Sequence, residues 1–451
     1  MEVEVVVDYW VLDNGARLVS EEIPHLRSVA MGIYVGVGSR DEADEMNGTT
    51  HFIEHLLFKG TATRTAKDIA EAFESIGGQL NAYTSKEYTC FYARTLDENF
   101  EEALDILFDM VFNSVFMDKD LLTEKGVIVE EIGMYEDSPD ELIHDVFSQL
   151  LWRNHALGRP ILGTKETVMA LKRESVIEYY RQYYVPSNMV IAIAGNINNS
   201  MVRDKVSEWL HRVQNHPVSR AKLPPDIPPK NELRLITKDT EQVQLCIGTP
   251  SISYSHDERH VQNIMNSILG GGIGSRLFQT IREEKGLAYS VYTYPTSYSD
   301  SGSFCIYAAT SPEKINDLMA GLGEELDKFR TNGVTADEIN RAQRQIKANM
   351  YLGMESVMNR MSRLGKSVMF YDRIIPLEEV IDNIMAVTAD DIQRFANQVL
   401  VPDKLCLAAI GGKEVLSVVE KGLSSVTRMG CHSSSNSWSE TGCSQVRHRV
   451  Q

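Results

Sequence analysis

Two hydrophobic periods alternate along the chain, and each predicts a different kind of element. Short β-branched or alternating runs, Val29 to Gly38 and Met189 to Ala194, predict strands. Longer stretches with apolar residues every three or four positions, Ala66 to Ile76, Asp97 to Phe112 and Asp118 to Tyr135, predict helices. Together they predict an α+β layer structure, in which helices pack on a largely antiparallel sheet.

The helix predicted from Ala66 carries signals at both of its ends. Thr65 is placed to cap the first turn, and Asp68 follows three residues later. Gly77 and Gly78 come directly after the last apolar position, where glycine ends helices. These signals fix the bounds of this helix more closely than periodicity alone.

The hydrophobic pattern also repeats over about half of the chain. The segment "YYVPSNMVIAIAG" from Tyr183 resembles "VLVPDKLCLAAIG" from Val399, with an offset of 216 residues. "VAMGIYVGVGS" from Val29 aligns with "VQLCIGTPSIS" from Val243 at an offset of 214, and "TCFYARTLDENFEEALDIL" resembles "SFCIYAATSPEKINDLMAGL" at 215. A nearly constant offset predicts two homologous α/β-sandwich domains rather than a short-period solenoid.

A proline-rich segment separates the two copies. "QNHPVSRAKLPPDIPPKNE", residues 214–232, has paired prolines that cannot continue a helix or a central strand. We therefore predict an N-terminal domain at 1–213 and a homologous domain at 233–423. The serine-rich residues 424–451 lack apolar periodicity and predict a disordered tail, whose scattered Cys and His match no standard metal spacing.

Composition narrows the class of partner. The net charge of −18 over 451 residues disfavours nucleic acid and anionic membranes and favours cationic ligands. The first cation is Arg17, so no secretory or transit leader is predicted, and no apolar run reaches the roughly 18 residues of a membrane span. The six cysteines have no regular spacing, which is typical of reduced thiols, and a cytoplasmic protein is predicted.

The clearest chemical motif lies in "THFIEHLLFKGTATRTA", residues 50–66. On a helix at about 100° per residue, His51 and His55 lie about 40° apart, with Glu54 about 60° to the side of His51. This order, HxxEH, inverts the better-known HExxH zinc motif. The spacing suits two imidazoles on one zinc ion beside a carboxylate, although the pentapeptide alone also suits an exposed helix turn.

A zinc site of this kind needs a third ligand, which "TEKGVIVEEIGMYEDSPDE" offers. Glu124 and Glu131 are seven residues apart and share a helix face, whereas Glu130 points about 100° away from Glu131. Glu131 is the predicted third ligand, and Glu124 is predicted to orient a ligand from behind. Taken alone, these glutamates are also typical of a solvated helix face.

The second copy of the repeat has lost these groups. At an offset of 215, the three polar residues of the HxxEH helix fall opposite Asn266, Leu269 and Gly270, in "NSILGGGIGSRLF". A residue set that only filled a helix face would have no reason to differ in this way. We therefore expect the metal-binding and catalytic residues to lie in the first half, and the second half to have a supporting role.

With these motifs, the chain resembles the pitrilysin/insulinase family of zinc metallopeptidases, the inverzincins. The resemblance covers about residues 9–415 and is strongest to the mitochondrial processing peptidase branch and its bacterial relatives. Besides the segments above, it rests on "GGQLNAYTSKEYTCFYA" and "LGGGIGSRLFQTIREEKGLAYSVYTY". It implies one Zn²⁺ per chain on His51, His55 and Glu131, with Glu54 as the general base and Glu124 as the family's additional glutamate.

The resemblance also implies how a substrate is held. "NAYTSKEYTCFYA" resembles the edge strand on which the family binds peptides, which would bring Asn81 and Ala82 near the scissile bond. Arg282 and Tyr289 match a pair that reaches the active site from the opposite half of a chamber. The family chamber has four such repeat units and this chain has two, so the resemblance implies a homodimer.

The predicted function is that of a zinc endopeptidase acting on unstructured, basic peptides. The alternative is a structural subunit of a processing-peptidase-like assembly. The glycine cluster Leu269 to Arg276 lacks the Lys-Ser/Thr of a phosphate-binding loop and predicts a flexible approach for a substrate or partner chain.

Overall fold

Two β-sheets organise the computed structural model, which describes residues 6–220, 224–225 and 231–419. The strands are β1 Val6–Val11, β2 Arg17–Glu22, β3 Ser28–Val35, β4 Gln79–Thr84, β5 Thr89–Leu96, β6 Met189–Gly195, β7 Leu233–Thr237, β8 Val243–Ser251, β9 Ser290–Ser297, β10 Gly302–Thr310 and β11 Cys406–Gly411. The helices are α1 Thr49–Leu57, α2 Ala66–Ser75, α3 Phe100–Asn113, α4 Asp118–Glu136, α5 Pro139–Leu151, α6 Lys165–Ala170, α7 Arg173–Tyr183, α8 Asn199–Leu210, α9 Arg259–Leu269, α10 Ile315–Asn332, α11 Ala336–Gly353, α12 Val357–Tyr371, α13 Leu377–Met385 and α14 Ala389–Val399. The predicted tail, 424–451, lies outside the described residues.

The two sheets share a five-stranded topology, to which the first sheet adds β1 at one edge. The first has the order β1-β2-β6-β3-β5-β4, and the second has the order β7-β11-β8-β10-β9. In each sheet one neighbouring pair is parallel, β2 with β6 and β7 with β11, and the other pairs are antiparallel. The prediction of two homologous α/β halves with antiparallel-rich sheets is confirmed.

Local signals explain several element bounds. Thr65 caps α2 as predicted, because its side chain accepts from the backbone N–H of Asp68 and its own N–H donates to the Asp68 carboxylate. The helix ends before Gly77, whose φ of +62° suits glycine. Residues 214–220 of the predicted linker form neither helix nor strand. The predicted domain boundaries themselves stay a prediction.

Each half completes the hydrophobic core of the other. One face of the first sheet packs against helices of its own half, and the opposite face packs against α12 from the second half. Conversely, α5 from the first half covers a face of the second sheet. The sequence did not predict this exchange, because a strand buried on both faces does not reveal which helix covers it. No helix within the described ranges is both long and apolar enough to cross a membrane.

A buried ion network joins the two halves near the β4–β5 hairpin. The Arg40 guanidinium lies 2.9 Å from a carboxylate oxygen of Glu87 and 2.6 Å from one of Asp300. Ser299 donates its backbone N–H, at 2.9 Å, and its hydroxyl, at 2.6 Å, to Glu87. The hairpin of the first sheet is therefore bound to the turn between β9 and β10 of the second.

We expect Glu87→Gln to lower the free energy of unfolding by about 3 kcal/mol, because it leaves a buried guanidinium short of one countercharge. Glu71→Gln is the matched control, since Glu71 forms an exposed pair with Lys67 and its loss should change stability little. Urea unfolding followed by circular dichroism measures both variants. Equal stability of the two variants would contradict the role given to this network.

Candidate metal centre

Helix α1 begins at an unusual cap. Its N-cap residue is Gly48, with φ +97°, which has no side chain to bind the first N–H groups. The Glu42 carboxylate takes that role, accepting from the backbone N–H of Gly48 at 2.9 Å and of Thr50 at 2.7 Å. Burial raises the pKa of Glu42, while these hydrogen bonds act in the opposite direction. Glu42 thereby fixes the start of the helix that carries the HxxEH motif.

The two histidines of α1 meet Glu131 of α4. Their ring centroids are 4.6 Å apart, and the Nε2 atoms of His51 and His55 lie 3.9 and 3.6 Å from Glu131 Oε2. One donor atom from each of the three residues lies within 4.8 Å of the others. Among the described residues, no other group of three or more His, Cys, Asp or Glu side chains brings its donor atoms this close together.

The donor set fits a zinc ion. Zinc bonds of about 2.0–2.1 Å in a tetrahedron place neighbouring donors about 3.3–3.5 Å apart, close to the separations from Glu131. His51 is only 8% exposed, and burial, with a smaller contribution from His55, lowers its pKa to about 3. The imidazole of His51 is therefore neutral at physiological pH, as a metal ligand must be.

Glu124 contacts His55 on the side of the imidazole ring that faces away from Glu131. Its side chain is buried, and its Oε2 accepts from His55 Nδ1 at 3.1 Å while its Oε1 lies 2.8 Å from Lys59 Nζ. A proton held on Nδ1 leaves the Nε2 lone pair of His55 free on the side of Glu131. Glu130, on the same helix, is exposed, as its helical angle predicts.

Glu54 lies next to His55 on α1 and faces the β4–β5 hairpin. Its carboxylate accepts a hydrogen bond from the hydroxyl of Thr84, the last residue of β4. Burial raises the pKa of Glu54 and Glu131 adds to this, while the Thr84 hydrogen bond and His55 oppose it. A carboxylate held beside two imidazoles can accept and return a proton.

Strand β4 forms an edge of the first sheet, where its outer backbone groups are available to a further strand. Asn81 is exposed on this strand, and its side-chain oxygen accepts from the backbone N–H of Ala82 at 2.8 Å. A groove of about 580 Å³ runs beside the strand. Its apolar lining includes Phe58, Ile69, Phe73, Leu80 and Tyr92.

Arg282 and Tyr289 lie together on the second half. The Arg282 guanidinium carbon is 5.7 Å from the centroid of the Tyr289 ring, which is 73% exposed. Tyr289 lines a cleft of about 730 Å³ together with the acidic side chains of Asp140, Glu141 and Glu241. Within the described part of the chain, no hydrogen bond or ion pair joins Arg282 or Tyr289 to the histidine group.

The segment of the second half that aligns with the HxxEH motif has no room for a side chain at Gly270. At the sequence offset of 215 residues, Gly270 falls opposite His55. It is the C-cap residue of α9, and a Cβ there would lie 2.7 Å from the backbone nitrogen of Thr293 on β9. Thr293 also donates its hydroxyl to the Asn266 side chain at 2.8 Å. Strand β9 thus packs directly against the end of α9, and a side chain at Gly270 would collide with it.

Comparisons with known proteins agree with this geometry. Residues 17–165 match the profile of the family described as Insulinase (Peptidase family M16), and residues 170–346 match that described as Peptidase M16 inactive domain. Among solved structures, the peptidase M16 inactive domain of Pseudomonas fluorescens has a TM-score of 0.85 at 21% identity, covering 90% of this chain and 98% of that one. A protease of Helicobacter pylori has a TM-score of 0.84 at 19% identity, covering 90% of this chain and all of its own.

Curated relatives are closer in sequence. The uncharacterized zinc protease YmxG of Bacillus subtilis is 41% identical over 398 residues, which is 88% of this chain and 97% of that protein. An uncharacterized zinc protease of Streptomyces coelicolor is 39% identical over 395 residues, which is 86% of this chain and 86% of that protein. Since the similarity extends through both halves and spans most of each relative, this chain belongs to the insulinase family of peptidases, M16.

Proposed function

We propose that this protein is a zinc metalloendopeptidase that cleaves unstructured, basic peptides. The observation that carries the proposal is the group formed by α1 and α4, in which His51, His55 and Glu131 converge beside Glu54. The names of the curated relatives, zinc proteases, support the same chemistry. In the proposal one zinc ion per chain is held by the two histidines and Glu131.

The side chains around this group have distinct roles in the proposed reaction. When bound, zinc supplies Lewis acidity that polarises a peptide carbonyl and lowers the pKa of water. Glu54 takes the proton from the attacking water and passes it to the leaving amine. Glu124 keeps the His55 ring oriented through its Nδ1 proton.

The substrate is proposed to bind as an added strand on the edge of β4. Main-chain hydrogen bonds would hold it independently of sequence, with Asn81 and Ala82 nearest the scissile bond. The adjacent groove is lined largely by apolar side chains, which suits apolar residues of a peptide. The acidic lining of the cleft beside Tyr289 and the net charge of −18 favour basic peptides.

A homodimer is part of the proposal. Arg282 and Tyr289 are solvent-accessible on the second half, and nothing among the described contacts links them to the histidine group of the same chain. In a twofold pair of chains, each partner would supply Arg282 to hold a substrate carbonyl and Tyr289 to stabilise the developing oxyanion. The processing-peptidase-like chamber and a cytoplasmic location stay predictions from the sequence.

The test is cleavage of peptides by the purified protein loaded with zinc. An unstructured basic peptide should be cut internally, cleavage should stop with a chelator, and it should return when zinc is added back. Mass spectrometry of the products would show whether cuts are internal. A pure zinc-loaded protein that leaves a library of such peptides intact would favour the structural-subunit alternative.

Zinc affinity gives a separate prediction about Glu124. Glu124→Gln should weaken zinc binding by about 10- to 100-fold, because His55 loses the carboxylate that orients it. Competition with a chromophoric chelator measures the Kd. Glu130→Gln is the matched control from the exposed side of the same helix and should bind zinc as the wild type does. Similar Kd values for the two variants would count against Glu124.

A further inference from the structure

We propose that Thr84 is a positioning residue, which holds the Glu54 carboxylate in the orientation needed for proton transfer. The expected effect on turnover rests on the proposed peptidase function. The expected effect on the orientation of the Glu54 side chain does not depend on that function. Neither the spacing of motifs nor the similarity to other proteins assigns Thr84 a role.

The contact itself is direct. Thr84 Oγ1 donates to Glu54 Oε2, and among the described residues it is the only side chain that hydrogen-bonds to this carboxylate. Glu54 has three rotatable side-chain bonds and is only half-buried, so packing alone does not fix the direction of its oxygens. A single charge-assisted hydrogen bond from a rigid element selects one orientation.

Thr84 is itself rigidly held. It is the last residue of β4 and pairs with Thr89 across the β4–β5 hairpin. The turn is closed by a hydrogen bond of 2.9 Å from the Ser85 N–H to the Tyr88 carbonyl. On its other side, the N–H of Ser39 donates to the Ser85 carbonyl at 3.1 Å. The threonine hydroxyl therefore extends from a backbone that is bound on both sides.

The second half of the chain also contributes to this support. Two residues beyond Ser85, Glu87 binds Arg40 and receives two hydrogen bonds from Ser299 in the turn after β9. The half without the metal group thus holds the hairpin that carries Thr84. This gives the inactive copy of the repeat a physical connection to Glu54.

The arrangement links peptide binding to the proposed general base. Strand β4 offers its edge to an incoming peptide at Asn81 and Ala82, and the same strand ends in the hydroxyl that orients Glu54. A strand displaced relative to α1 would therefore move the carboxylate as well. Loss of the hydroxyl should affect turnover rather than peptide affinity, because the backbone edge is unchanged.

Three variants test the inference. Thr84→Val keeps the shape of the side chain and removes the donor, Thr84→Ser keeps the donor, and Thr89→Val removes a hydroxyl from the facing strand that binds the Val37 carbonyl instead. We expect Thr84→Val to lower kcat by about 10- to 100-fold with KM within about twofold and with zinc content unchanged. Thr84→Ser should recover most of kcat, and Thr89→Val should retain it.

A double-mutant comparison tests whether Thr84 acts through Glu54. In a Glu54→Gln background, Thr84→Val should cause no further loss of residual turnover, since the two changes remove one function. An equal loss in both backgrounds, or an unchanged kcat in Thr84→Val, would overturn the inference. A raised KM with unchanged kcat would also overturn it, because it would place Thr84 in peptide binding.

Crystal structures decide the question even if the chain cleaves no peptide. In zinc-loaded Thr84→Val the Glu54 carboxylate should leave its wild-type position or occupy more than one, and in Thr84→Ser it should stay. If Glu54 keeps its wild-type position in Thr84→Val, the inference is wrong. Absence of cleavage by the wild type, with a displaced Glu54 in this variant, would refute only the proposed function.

Discussion

Glu54→Gln is expected to abolish peptide cleavage while zinc remains bound at the wild-type stoichiometry. Glutamine has nearly the same shape as glutamate and can still accept from the Thr84 hydroxyl, but it cannot take a proton from water. General acid–base catalysis contributes about 10²- to 10⁴-fold, and Glu54 acts in both proton transfers, so kcat should fall by about 10³-fold or more.

The measurement is kcat on an unstructured peptide, with metal content determined on the same samples. Glu130→Gln serves as the matched control, because it removes a neighbouring exposed carboxylate outside the metal group. If Glu54→Gln retained zinc and cleaved at the wild-type rate, Glu54 could not be the general base. Loss of zinc from this variant would instead assign Glu54 a role in binding the metal.

Mixing two inactive variants is expected to restore about a quarter of the wild-type activity, if each site is shared between chains in a twofold dimer. Tyr289→Phe should lower kcat by about 10²- to 10³-fold through loss of an oxyanion donor. In a mixed dimer with Glu54→Gln, one site carries both changes and the other carries neither. Random mixing makes half of the dimers mixed, and each of these has one intact site out of two.

Subunit exchange must be shown independently, for example by energy transfer between differently labelled chains. With exchange complete and no recovery of activity, Arg282 and Tyr289 would have to serve the metal group of their own chain or take no part. That result would contradict the composite site and leave the His51, His55 and Glu131 group unaffected.

The parts of the site that follow helical geometry could be predicted from the sequence. A period of 3.6 residues places His51 and His55 on one face, and the same rule separates Glu131 from Glu130 and puts Glu124 on the face of Glu131. The structure brings these residues together as expected. All of these residues lie on two helices, α1 and α4, and the local sequence of each segment predicts its helix.

The parts that depend on tertiary contacts could not be predicted. Glu42 caps α1 from outside the helix, and its sequence position carries none of the usual spacing of a capping box. Thr84 reaches Glu54 only because the β4–β5 hairpin packs on α1. The exchange of α5 and α12 between the halves likewise joins residues far apart in the chain.

The two halves show how one fold can hold or exclude a metal group. In the first half, α1 and α4 bring the two histidines and Glu131 together. In the second half, Gly270, which aligns with His55 in the sequence, lets Thr293 of β9 pack closely against the end of α9. The repeat in the sequence therefore agrees with the repeat in topology. The two copies differ in that only the first brings metal-binding side chains together.

The most direct test of the central claim is an anomalous difference map measured at the zinc absorption edge on crystals of the zinc-loaded protein. The account predicts one strong peak per chain, within about 2.0–2.2 Å of donor atoms of His51, His55 and Glu131. No peak at this group, or a strong peak held by other residues, would contradict it.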